Sequence, residues 1–267
     1  LDTWAAANNA PADRGVPQCL KGSIATFAFG DMTSDRSLEA LLKKHKGDVA
    51  GIVMEPASYA TMDTGDYLKW VRELADRHGV LLAFDEIVTG FRLAPGGAQE
   101  YFGVTPDLAC FAKGISNGMP VAAVAGRREV MKTAAELVIS STYGGDTISL
   151  AAAVACLKEI RDNGILPRIW EQGKQLVDGM NQIASDIGLA LQFRGWPVMA
   201  SFGFGYDAPT NADLMTLLLQ EMAKRGVLLR RGGLIFVTYA HKAADVAETM
   251  AACRDVFRLL LEAQQSG

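Results

Sequence analysis

The sequence has little with which to bind a metal or cross-link itself. Its 267 residues hold four cysteines, Cys19, Cys110, Cys156 and Cys253, none in CxxC spacing, and three histidines, His45, His78 and His241, that form no ligand pair. These absences predict reduced thiols and no structural metal. No apolar run approaches the ~20 residues of a membrane-spanning helix, and no charged stretch followed by an apolar one opens the chain. The sequence therefore reads as cytoplasmic. At a net charge of -4, with acids and bases interspersed, it has no basic stripe for nucleic acid and no polybasic tract for a membrane surface. Repeats and low-complexity linkers are absent too. The opening "LDTWAAANNAPADRGVP" has neither an initiator methionine nor a helix or strand pattern, and reads as the middle of a domain.

What is present is an ordinary globular composition, 49% apolar and 21% charged, enough to bury the core of one large domain or two unequal ones. "SLEALLKKH" has the pattern of a short amphipathic helix, and "DVAGIVMEP" that of a strand stopped by Pro56. In "TGDYLKWVRELADRHG", Tyr67, Val71, Leu74 and Ala75 recur at helical spacing, Thr64 is placed as an N-cap and Gly79 as the residue that ends the helix. "VLLAFDEI" follows as a continuous apolar run of strand length. Such runs alternating with amphipathic helices predict an α/β domain, a mostly parallel sheet flanked by helices. "DLACFAKG" and "PVAAVAG" add two strands, "TISLAAAVACLKEIRDNG" and "LPRIWEQGKQLVDGMNQIASDIG" two helices.

Beyond these the pattern changes. "PVMASFGF" and "VLLRRGGLIFVTYA" predict strands, the second a hairpin turning at Gly232-Gly233, between helices near 211–225 and 242–263. The expected division is a large domain over 1–161, incomplete at its N-terminus, and a smaller C-terminal α+β domain over 162–267.

Two polar positions point to chemistry. Asp85 stands where the "VLLAF" run ends, and in a parallel sheet the ligand crevice lies outside the carboxyl ends of the strands. Lys113 follows a second apolar run and precedes the Gly-rich "GISNGMP", where its amine can lose hydration and act as a Schiff-base nucleophile. Each has a plainer explanation, since any strand can end in polar residues and a lysine can snorkel from an apolar edge. Together they form the pair that pyridoxal phosphate requires, an amine for its aldehyde and an acid for its ring nitrogen.

The ordered segments "FDEIVTGFRLAPGGAQEYFGVTPDLACFAKGISNGMPVAAVAG" and "SSTYGGDTISLAAA" resemble the class III aminotransferases, fold-type I pyridoxal 5'-phosphate enzymes, and among them the glutamate-1-semialdehyde aminomutase-like members. Weaker similarity runs from about Gly15 to the C-terminus. The resemblance implies that Lys113 holds the cofactor as a Schiff base, that Asp85 pairs with the pyridine nitrogen and that Ile87 packs on one face of the ring. It implies that Thr142 reaches the cofactor phosphate of a neighbouring subunit, hence a homodimer with shared active sites. By themselves Ile87 reads as core packing and Thr142 as a helix cap.

The implied activity is transfer of an amino group between a small-molecule amino donor and a carbonyl-containing metabolite. The alternatives are the 2,1-aminomutase reaction and a truncated, non-catalytic subunit of the same fold. The last is raised by a departure from the pattern: the Ser-Gly-rich phosphate cradle and the ring-stacking aromatic that the family carries ahead of the region matching Leu1 have no counterpart here. A nicotinamide dehydrogenase is disfavoured because no GxGxxG turn precedes Asp85. A cofactor-free Schiff-base aldolase leaves Asp85 and Thr142 unexplained.

Overall fold

The computed structural model describes residues 23–266; the readings made for the opening segment, Cys19 included, lie outside them. The described chain divides into two compact units, one running to Ser58 and resuming over Asp63–Asp162, the other made of Tyr59–Met62 and everything from Asn163.

The first unit is built on a four-stranded sheet of order β1-β2-β3-β4, with β1 Gly51–Met54, β2 Leu81–Asp85, β3 Leu108–Phe111 and β4 Ala123–Gly126. β1, β2 and β3 are mutually parallel, and β4 runs antiparallel to β3. Helices α1 Leu38–Lys44 and α2 Gly65–His78 bury Leu38, Leu42, Leu68, Val71 and Leu74 against Ile52, Met54, Leu82 and Phe84 of the sheet. Alternation along the strands sends Val53 and Leu81 to the other face, where both are exposed. Gly79 closes α2 in the left-handed conformation at φ 66°, as a glycine at that position should. Thr64 occupies the N-cap position, but its hydroxyl makes no capping bond and is buried without a hydrogen-bond partner.

The start of β3 is fastened by charge. Buried Asp107 accepts the Leu82 N–H at 2.8 Å and pairs with Arg72 at 2.9 Å and Arg127 at 2.6 Å. Burial alone would raise its pKa, but the Leu82 N–H and the two guanidinium groups outweigh burial and hold the carboxyl below the ordinary range. A folded pKa below the unfolded one contributes stability at pH above the ordinary value of 3.8, and that contribution is lost as pH falls through the depressed value. Asp107→Asn is therefore expected to cost roughly 1–3 kcal/mol near neutral pH, with the deficit shrinking under acid. Denaturant midpoints of both proteins across pH 2–7 measure this; a constant deficit would exclude the linkage.

The second unit is an antiparallel sheet of order β5-β6-β7, with β5 Leu191–Trp196, β6 Met199–Phe204 and β7 Leu234–Phe236. Helices α6 Ile165–Asp186, α7 Ala208–Lys224 and α8 Ala243–Ser266 pack on it, and Phe193, Phe202 and Phe257 form a stacked series in its core. Asn181 of α6 fastens β5 by giving a hydrogen bond to the Phe193 carbonyl and taking one from its N–H, both 2.8 Å. Burial pushes the Cys253 thiol up to about 12, so it stays protonated. The expected hairpin at Gly232-Gly233 is reduced to a turn: a single bridge joins Arg230 to Leu234, and only Leu234–Phe236 continues as strand. No described helix is long and apolar enough to cross a membrane, and no described group of three or more His, Cys, Asp or Glu is placed to hold a metal.

Candidate active site

Asp85 is the last residue of β2 and Lys113 stands two residues past the end of β3, the next strand in the sheet. The strands are parallel with Asp85 in register with Cys110, so both residues leave the sheet at the same, carboxyl-terminal edge. The Asp85 side chain is half-buried and accepts the Ile87 N–H at 3.0 Å, which turns the carboxylate back over its own chain. It also lies alongside Cys110, whose thiol is pushed up first by burial and then by the charge of Asp85. Ile87 is half-buried one turn beyond.

Lys113 opens a single 3-10 turn, Lys113–Ile115, with φ 47°, a conformation that side-chain-bearing residues rarely adopt. The Asn117 N–H donates to its carbonyl at 2.9 Å, and the Ser116 hydroxyl closes the loop on the Met119 carbonyl at 2.6 Å. The Cys156 thiol holds the next carbonyl, that of Gly114, at 3.4 Å. Phe91 at φ 58° and Asn117 at φ 50° are the other described non-glycine residues in this region, so backbone strain is concentrated at the exits of β2 and β3. The two exits pack on each other: a Cβ on Gly114 would meet the Gly90 carbonyl at 3.4 Å and Phe91 Cβ at 3.7 Å. The Lys113 side chain itself is exposed, so the loss of hydration expected from the sequence is not present at this amine.

Thr142 lies elsewhere. It is exposed in the stretch between helix α4, Arg128–Met131, and helix α5, Thr147–Asp162, where it lines an open pocket of about 490 Å³ with Val121, Tyr143 and Leu150, among others. Asp85, Ile87 and Lys113 do not line that pocket. The reading of Thr142 as a helix cap does not hold, since Asp146 takes that place by accepting the Ser149 N–H at 2.8 Å.

The profile of the class-III aminotransferases, Aminotran_3, matches residues 23–257. The chain belongs to this family. Among curated relatives of this aminotransferase-family chain, the glutamate-1-semialdehyde 2,1-aminomutase of Syntrophobacter fumaroxidans is 32% identical, with 92% of this chain and 60% of the relative covered. That of Roseiflexus castenholzii is 33% identical, with 96% and 62% covered. The chain thus spans about three fifths of the length of these relatives. Among solved structures, the PLP internal aldimine form of the FumI protein of Sphingopyxis sp. MTA144 superposes with a TM-score of 0.83 at 26% identity, covering 91% of this chain and 58% of that one.

A second acid of the aminotransferase-family segment follows Asp85 directly, and strand alternation gives it the opposite face. Glu86 is fully buried, on the side of the chain opposite Asp85. Its carboxylate accepts the N–H of Ala98 and of Gln99, each at 2.8 Å, together with the Thr89 hydroxyl, and so caps the short helix α3, Ala98–Phe102. Its N–H donates to the Cys110 carbonyl at 2.9 Å, and its carbonyl accepts from Gly90 at 2.8 Å. The Gly-Gly pair before "AQEYF" was a signal of the turn, but no local pattern linked it to an acid ten residues earlier.

Proposed function

We propose that this chain carries the cofactor-binding lysine and ring-nitrogen acid of a pyridoxal-phosphate-dependent aminotransferase, which moves an amino group between an amino donor and a carbonyl-containing metabolite. The observation that carries the reading is the placement of Asp85 and Lys113 at the same edge of adjacent parallel strands, on turns that pack together. That donor set fits the cofactor: an exposed primary amine can condense with an aldehyde, and a half-buried carboxylate can hold the proton of a pyridine nitrogen.

When bound, pyridoxal phosphate supplies an aldehyde for amines and a protonated ring that takes up electrons from the substrate's Cα. Lys113 Nζ would hold the aldehyde and would move the proton at the substrate Cα as general base. Asp85 would hold the proton at the ring nitrogen, with the Ile87 N–H fixing the carboxylate's rotation. The Ile87 side chain offers an apolar surface to one ring face, and Thr142 offers its hydroxyl and N–H to a phosphate in the neighbouring subunit of a homodimer. The division of the chain into a large cofactor-binding domain and a small C-terminal one belongs to the same reading.

The names of the two curated relatives favour a second reading, in which the amine returns to the neighbouring carbon of the same molecule. Turnover without any added carbonyl acceptor separates this aminomutase reaction from a transaminase. The first test is borohydride reduction of protein incubated with pyridoxal phosphate, followed by peptide mass analysis. A pyridoxyl adduct on Lys113 is expected; an unmodified Lys113 would favour the non-catalytic subunit.

A further inference from the structure

We propose that Glu86 is a positioning residue for Asp85: its buried carboxylate clamps the loop between β2 and α3 and thereby holds the Asp85 side chain in the rotation that faces a ring nitrogen. The proposal rests on the cofactor reading above and assigns a role within that site.

The geometry makes Glu86 the hub of the β2 exit. Its side chain gathers Thr89, Ala98 and Gln99, so both ends of the loop 87–97 are tied to one carboxylate. The Gln99 side-chain amide approaches the same oxygen as its N–H, at 3.4 Å. Its backbone is bound on both sides, to Cys110 of β3 and to Gly90 of the turn. Asp85 precedes it and Ile87 follows it, and the Ile87 N–H is the donor that orients Asp85 at 3.0 Å. Any rotation of the Glu86 peptide planes therefore moves both the Asp85 Cα and the donor that aims its carboxylate. The packing also reserves the space, because Gly97 lies against the Glu86 carboxyl with no room for a Cβ.

Stability alone is a poor account of this arrangement. A carboxylate withdrawn fully from water, with no ion-pair partner among the described residues, loses hydration that neutral donors only partly restore. In return it caps a helix of five residues. A buried polar group retained at such a cost, one residue from a half-buried acid at the edge of the sheet, fits a role in fixing that acid's position, in the way that outer hydrogen bonds orient functional groups elsewhere.

The test uses the intact protein with pyridoxal phosphate as the probe and two readouts other than turnover: the borohydride-trapped fraction at Lys113 and, in separate unreduced samples, the pH midpoint of the bound cofactor's absorbance band. Glu86→Gln should keep the trapped adduct and move the midpoint by about one pH unit, because Asp85 is no longer held against the ring nitrogen. Thr89→Val, which removes one donor and keeps both N–H bonds, should move it less and in the same direction, and it decides the matter if Glu86→Gln does not fold. In an Asp85→Asn background, Glu86→Gln should add no further movement, since its effect passes through Asp85. A midpoint that stays in place while only the melting temperature falls overturns the proposal, as does an equal shift in both backgrounds. Absence of any Lys113 adduct in the parent protein overturns the cofactor reading and this one with it; an adduct present with an unmoved midpoint overturns this one alone.

Discussion

Asp85→Asn is expected to leave the borohydride-trapped adduct on Lys113 intact while lowering kcat/KM by on the order of 10²–10³-fold or more, the cost typical of removing one group that stabilises developing charge. The substitution is nearly isosteric. An asparagine oxygen can still accept the Ile87 N–H that Asp85 now accepts at 3.0 Å, so the β2 exit has no reason to rearrange. What is lost is the negative charge at the edge of the sheet, and with it the means to keep a pyridine nitrogen protonated. The effect should fall on the chemical step rather than on the attachment of the cofactor. Peptide mass analysis reads the attachment and single-turnover kinetics read the step; turnover at the parent rate would remove Asp85 from the mechanism.

Gly97→Ala should be among the most damaging single-methyl changes in the first unit, with a loss of roughly 2–5 kcal/mol from backbone strain and overpacking together. Gly97 sits at φ 84° and ψ -159°, a region essentially reserved for glycine. A Cβ there would stand 2.6 Å from the Glu86 carboxyl carbon and 2.8 Å from Oε1, so the buried carboxyl would have to leave the position from which it caps α3. Gly103, at the other end of the same helix, supplies the comparison. It also has positive φ, 65°, but a Cβ there would meet nothing within 4 Å. Gly103→Ala should therefore show a backbone cost of about 1 kcal/mol and no more. The difference between the urea midpoints of the two variants reads the Glu86 collision together with the extra backbone strain at Gly97; equal losses would mean that the carboxyl yields freely and the backbone adds nothing.

The readable parts of the sequence were those in which the physics is local. Tyr67, Val71, Leu74 and Ala75 repeat at the period of a helix that hides one face, and they are buried as that period requires. The apolar run before Asp85 is a strand because it pairs on both sides, with β1 and with β3. Other elements gave weaker local signals. "LQFRGW" lies in the short gap between a long helix and "PVMASFGF" and carries no strand expectation from the sequence; in the fold it is β5, paired along its length with β6. "PVAAVAG" is a strand, but its direction against β3 depends on where the chain crosses, which periodicity does not encode.

For the candidate site the same division holds. Composition, spacing and resemblance by themselves determined the family, the α/β architecture and the pairing of Asp85 with Lys113 as the residues to question, because these follow from residue type and from the order of apolar runs. Only the tertiary structure decided that the exits of β2 and β3 pack on each other, that Lys113 takes a left-handed backbone at an exposed position, and that Glu86 is bound to the N-terminus of α3. Those facts depend on hydrogen bonds and close approaches between segments 12 or more residues apart, Glu86 to Ala98 and Gly114 to Gly90. A carboxylate's partners are chosen by where the chain returns, and that is set by the packing of the whole sheet.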